Sequence, residues 1–287
     1  MRSIKKIIKS EKVDMGGILL DQPLPNRFMD QMDPFLLIHH WDDVLKGNQK
    51  QNEAGVGPHP HRGFSPVTLI FKGGVHHRDS RGNNSIVKAG GTQWMFAGMG
   101  ITHSERPYKE LAEQGGDFEL IQFWLNVPAK NKMEQPVYTA ITKEDTPVFT
   151  TEDGKVKVGI VSGNFKNLKG VVDHFMPVTV LRFDFGKDGE IEFEIPSTQN
   201  TLMYLLDGEL LINDTDKAEG RNLIWFENDE TKIKIKANET TRAMLLAGEP
   251  INEKVVSYGP FVMNNETQIM QALRDAQIGK MGVLIEE

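Results

Sequence analysis

Four side chains able to hold a metal ion occur as two matched pairs, His59-x-His61 and His103-x-Glu105. On an extended strand, residues i and i+2 project from one face, about 6.6–7 Å apart along the chain. Two such strands lying side by side in a sheet would bring three imidazoles and one carboxylate to one point. Neutral imidazole suits Fe, Cu, Ni and Zn, and one added carboxylate favours a borderline divalent ion. Four protein ligands on an octahedral ion leave two positions for water, a substrate oxygen or dioxygen. A structural zinc instead closes at four ligands, usually with sulfur. The competing reading is a rigid exposed turn, since Pro58 and Pro60 flank His59 and an isolated His-x-His often decorates a surface loop. Spacing alone leaves both readings open, with the pairing of the pairs on the side of a metal.

The elements that must position these residues read as short strands. Leu36-Leu37-Ile38, Val67 to Phe71, Ser85-Ile86-Val87, Gln93 to Phe96 and Glu119 to Leu125 are rich in β-branched and aromatic residues. Lys72-Gly73-Gly74, Ser80 to Asn84 and Ala89-Gly90-Gly91 supply the turns between them. Ser104 to Gly115 is expected to form one short helix. The second half repeats the style in Val178 to Phe185, Ile191 to Ile195 and the strict alternation of Lys232 to Lys236. The halves also agree in order: Thr68 to Gly73 lies over Leu202 to Gly208, and Ala89 to Phe96 over Ala218 to Phe226. An all-β chain of two copies of one β-barrel follows. The division is expected at residues 1–155 and 156–287, with a linker near Lys155 to Asp173. Ile4 to Lys9 reads as a first strand with a lysine-rich edge. Asn265 with Gln268, then Ile269, Leu273, Ala276 and Gly279, spell a short C-terminal helix on the second barrel.

The 287 residues carry a net charge of −7, which argues against nucleic-acid binding through a broad basic surface. The absence of cysteine excludes disulfides, thiolate ligands and a thiol nucleophile, and fits a reducing cytosol. The basic start, Met1 to Lys12, lacks the apolar core of a signal peptide, and no stretch has the ~18–20 apolar residues of a spanning helix. A cytoplasmic protein with no membrane association is expected.

The runs His59-Pro60-His61-Arg62-Gly63-Phe64, His77-Arg78-Asp79-Ser80, Gln93-Trp94-Met95, Ala97-Gly98-Met99-Gly100-Ile101 and His103-Ser104-Glu105 closely resemble the pirin family. Gly248 to Glu253 and Gly259 to Asn264 also resemble that family's C-terminal signature. The resemblance implies a jelly-roll bicupin of two cupin-type barrels, with one metal in the first. It implies His59, His61, His103 and Glu105 as ligands of one divalent transition metal, iron foremost, with Mn, Ni, Co, Cu or Zn also compatible. The implied activity is quercetin 2,3-dioxygenase-like cleavage of a flavonol by dioxygen, with Glu105 taking the substrate proton. The alternative that the family suggests is a redox-sensitive, metal-containing regulator that binds a transcription factor or a metabolic enzyme. Two positions depart from the pattern: Ser65 and Lys72 stand where many relatives carry Glu.

The remaining histidines and aromatics read as follows. His77 either lines the pocket or anchors a turn, and His76 is exposed. His39 and His40 lie near the pocket mouth in structural hydrogen bonds. His174 stands alone in a second barrel without ligand pairs. Phe64, Trp94 and Phe96 are assigned to the core rather than to a substrate shelf. The interior of the second barrel is expected to be filled by apolar residues such as Leu202, Tyr204 and Trp225.

Overall fold

The computed structural model describes residues 1–286. The chain forms two compact units, each discontinuous in sequence. One comprises residues 15–20, 35–143 and the stretch from Ile251 onward; the other comprises 1–14, 21–34 and 144–250. This composition differs from a single cut after residue 155. Residues 155–173 are not a linker, because they hold the strand Val156–Ser162 inside the second unit's sheet.

The first unit is built on eight strands, β1 (Phe35–Leu45), β2 (Val56–His61), β3 (Phe64–Lys72), β4 (Gly74–Asp79), β5 (Asn84–Lys88), β6 (Thr92–Phe96), β7 (Ile101–Pro107) and β8 (Gly116–Asn126). They pair antiparallel in two sheets ordered β6-β3-β8-β1 and β2-β7-β4-β5. The second unit repeats this with β9 (Val178–Phe185), β10 (Glu190–Glu194), β11 (Asn200–Asp207), β12 (Glu209–Ile212), β13 (Asp216–Glu219), β14 (Asn222–Phe226), β15 (Lys232–Ala237) and β16 (Thr241–Gly248). Its sheets run β14-β11-β16-β9 and β10-β15-β12-β13, so every strand corresponds to the one eight earlier. The repeat visible in the sequence is therefore a repeat of topology. The strand Ile4–Lys9 forms the edge beside β14, with lysines at three of its positions.

The repeat explains why the second barrel lacks a metal motif. The strands equivalent to the two histidine-bearing ones are β10 and β15, which pair Ile191 with Ile235 and Phe193 with Ile233. All four residues belong to one apolar core with Met203, Leu205, Ile224 and Phe226. An apolar filling is thus present, but with the parity opposite to Leu202, Tyr204 and Trp225. Side chains alternate across a strand, so a shift of one residue exchanges the two faces. A separate cavity of about 420 Å³ in this unit is bounded by Ser162, Asp173, His174, Thr179 and Gln199, none of which belongs to that core.

Two helices complete the picture. α1 (Lys109–Gln114) is shorter than expected, because Ser104 to Pro107 extend the ligand-bearing strand β7. α2 (Glu266–Gln277) begins where the sequence places it, with the backbone N–H of Gln268 donating to Asn265 Oδ1 at 3.0 Å. It packs Ile269 and Ala272 with Phe261, Met263 and Met281, and so belongs to the first unit rather than to the second barrel. Among the described residues no helix is long and apolar enough to cross a membrane.

Candidate metal centre

Strands β2 and β7 pair antiparallel with His59 directly opposite His103 and His61 opposite Ile101. The three histidines therefore converge from adjacent strands. His59 Nε2 lies 3.0 Å from His61 Nε2 and 3.0 Å from His103 Nε2. Separations of 3.0 Å would let His59 share one ion, at the usual distance of about 2.1 Å, with each of the other two imidazoles.

The chemistry of the donors also fits a metal. His59 Nδ1 meets the Gly57 carbonyl at 2.8 Å and His61 Nδ1 meets that of Pro260 at 3.2 Å. A carbonyl only accepts, so both rings carry their proton on Nδ1 and offer a lone pair at Nε2. Burial holds His61 and His103 well below the usual imidazole range, and the neighbouring imidazoles push them the same way. Neutral rings whose lone pairs converge make a cation site.

Glu105 lies apart from this trio. The set whose donor atoms all lie within 4.8 Å of one another comprises His59, His61 and His103, without the carboxylate. A register shift between His103 and Glu105 places Glu105 opposite Val56 on β2, while it stays in regular register opposite His77 on β4. Its oxygens reach the other sheet. Thr68 Oγ1 on β3 donates to Oε1 at 3.0 Å and Gln122 Nε2 on β8 to Oε2 at 2.7 Å. Thr68 and Gln122 face each other in register, so the two donors act from one spot. Neither was singled out in the sequence, where nothing distinguishes them from other polar strand residues.

A cavity of about 370 Å³ opens on the site, with His59, His61 and Glu105 in its wall. Its other lining is mostly apolar, led by Leu37, Trp41, Phe118, Leu120 and Trp124. Phe64, Trp94 and Phe96 are core residues, as expected. The aromatic shelf comes instead from Trp41, Phe118 and Trp124, the last with its ring centroid 4.4 Å from that of Phe64. His39 lines the cavity, and burial lowers its pKa to about 4. His40 points to the opposite face, within 3.2 Å of Glu119 Oε1.

Lys72 closes that second cluster. Its Nζ lies 3.1 Å from Asp42 and 3.2 Å from fully buried Glu119. His40, Asp42 and Glu119 also converge closely enough for a metal, but the ammonium of Lys72 already supplies the cation. Ser65 is fully buried on β3. His77 does not line the cavity; it takes the turn-side role, within 3.0 Å of Asp79, whose carboxylate holds the turn at residues 79–83. It is buried behind His103, stacked on Tyr138 with ring centroids 3.7 Å apart.

The likeness to known proteins extends along the whole chain. The pirin family profile matches residues 19–125, and that of the pirin C-terminal cupin domain matches residues 180–282. A pirin-like protein of Solanum lycopersicum is 33% identical, over 97% of this chain and 92% of its own. The crystal structure of a quercetin 2,3-dioxygenase from Acinetobacter baumannii aligns with a TM-score of 0.93 at 32% identity, over 99% of this chain and 100% of its own. The bacterial pirin YhhW from Escherichia coli, solved in complex with nickel(II), shares the fold with a TM-score of 0.66 at 23% identity, over 85% of this chain and 99% of its own. With two cupin barrels, one convergent histidine trio and relatives matched from end to end, this chain belongs to the pirin family.

Proposed function

We propose that the protein is a metal-dependent dioxygenase that cleaves a flavonol such as quercetin. The observation that carries this reading is the cavity of about 370 Å³, apolar over most of its surface, with two of the convergent imidazoles and the Glu105 carboxylate in its wall. Its size suits one small aromatic molecule. A regulator acting through its surface needs no such opening onto its metal.

His59, His61 and His103 would hold the ion, and Glu105, outside their cluster but in the same cavity wall, would turn toward it as fourth ligand. A divalent transition metal bound there supplies open coordination positions for a substrate oxygen and for dioxygen. The chain's own residues do the rest. Leu37, Trp41, Phe118 and Trp124 take a flat aromatic substrate out of water. Glu105 accepts the proton of the flavonol hydroxyl, which leaves an electron-rich enolate able to react with dioxygen and lose carbon monoxide from the opened ring. Thr68 and Gln122 hold the carboxylate in position for that transfer.

The test is aerobic turnover of a flavonol panel by protein loaded in turn with Fe, Mn, Ni, Co or Cu, following both flavonol loss and carbon monoxide release. Turnover of at least one flavonol is expected. Full metal occupancy with no turnover of any would remove the enzyme reading.

A further inference from the structure

Two of the three convergent imidazoles have their tautomer fixed by a backbone carbonyl; the third does not. Among the described residues, the partner of His103 Nδ1 is Nδ1 of His77, at 3.5 Å. An imidazole nitrogen can donate or accept, so this contact alone leaves open which way His103 presents its lone pair. The next contact decides it. His77 Nε2 lies 3.0 Å from Asp79 Oδ2. Asp79 already accepts from Asn83 Nδ2 at 2.7 Å and from the backbone N–H groups of Arg81 and Asn83 at 2.8 and 3.1 Å. A carboxylate so surrounded by donors can only accept from His77. A neutral His77 is then protonated on Nε2 and bare on Nδ1, so His103 donates from Nδ1 and its Nε2 is left with the lone pair.

We infer that the buried Asp79–His77 pair is the positioning device that holds His103 in its metal-ready tautomer. The sheet register produces it. On β4 and β7, Asp79 lies opposite His103 and His77 opposite Glu105, so His77 reaches His103 diagonally from the same face. Tyr138, parallel to the His77 ring within 3° and held by Ser85 at 2.7 Å, fixes the plane of the ring. His77 and Asp79 are only 1% and 4% exposed, so the pair is screened from bulk solvent. The inference rests on the metal-binding reading of the three imidazoles and is independent of the dioxygenase chemistry.

The test uses the full chain, freed of metal and labelled with ¹⁵N-histidine, together with nickel titration against a competing chelator. In the wild type, two-bond ¹H–¹⁵N correlations should show His103 protonated on Nδ1. The His77→Leu variant should bind nickel about 10–100-fold more weakly, the usual scale for loss of a partner behind a ligand. In His77→Gln the side-chain amide can donate to Asp79 and accept from His103 in the same order, so affinity should return to within about threefold of wild type. Three results would each overturn the inference: wild-type His103 protonated on Nε2, nickel affinity unchanged in His77→Leu, or equal losses in the Leu and Gln variants. The tautomer measurement decides even where His77→Leu fails to fold. A wild-type chain that takes up no nickel sinks the metal reading as well, which separates the two failures.

Discussion

Replacing Glu105 by Gln separates proton transfer from mere positioning, and the structure sets the size of each effect. Glu105 Oε2 accepts from Gln122 at 2.7 Å, so the amide oxygen takes that place and the amide NH₂ falls toward Thr68 Oγ1. Thr68 already accepts from Gln122 at 3.2 Å, so its hydroxyl gains a second donor and loses its acceptor. One charge-assisted bond becomes neutral and one is lost, a change of roughly 1–2 kcal/mol. Expressed wholly in rate, that is a loss of about tenfold. Loss of a general base removes about 10²–10⁴-fold, or about 2.7–5.5 kcal/mol. Flavonol turnover normalised to bound metal should therefore fall at least about 100-fold in Glu105→Gln. Thr68→Val keeps the carboxylate and loses one donor, so it should fall no more than about tenfold. Metal content must be measured on the same samples, because an amide is a weaker ligand than a carboxylate. Normalised turnover within tenfold of wild type in Glu105→Gln would show that another group takes the proton.

Metal analysis should find one tightly bound ion per chain, and a His59→Ala/His61→Ala double variant that retains it would refute the assignment. Burial lowers the pKa of His39 and of His174 from 6.5 to about 4. The unfolded chain then takes up these protons first, so stability is complete above pH 6.5 and declines as the pH falls toward 4. The slope reaches about 1.4 kcal/mol per pH unit for each histidine. The urea midpoint of the metal-free protein should thus be lower at about pH 5 than at about pH 7; equal midpoints would contradict the burial argument. Gly63 has φ +87°, and a Cβ there would lie 2.1 Å from the Val262 carbonyl oxygen. Gly63→Ala should lower the thermal midpoint sharply and weaken metal binding through neighbouring Arg62 and His61, whereas Gly82→Ala, strained at a similar φ but in open space, should lower the midpoint much less and leave metal binding unchanged.

What could be read from the sequence was what local pattern controls. His-x-His and His-x-Glu announced two strands with ligands on one face, and strands β2 and β7 bring the three histidines together. The Asn265 cap and the apolar positions of α2 are likewise local signals. What escaped depends on residues distant in sequence or on a shift of one position. The extra residue that the Val56–His61 strand places opposite His103 to Glu105 carries no composition signal. Thr68 and Gln122 became notable only when two sheets met around Glu105, and Tyr138 only when it stacked on His77. In the second barrel the alternation was evident, but its phase was not, hence Met203 and Ile224 inside in place of Leu202 and Trp225.

The unit that carries the histidine trio draws its supports from late in the chain. His61 leans on Pro260, Arg62 pairs with Asp275, Thr102 bonds to Met281 and Arg106 pairs with Glu286. During synthesis His103 leaves the ribosome well before these partners exist, by roughly ten to forty seconds at ordinary rates of elongation. For that interval the His-x-His strand lacks these supports. A metal site completed only by residues 251–286 would take its final ion from the pool met by the finished chain, so expression in media of different metal content should change what the purified protein carries.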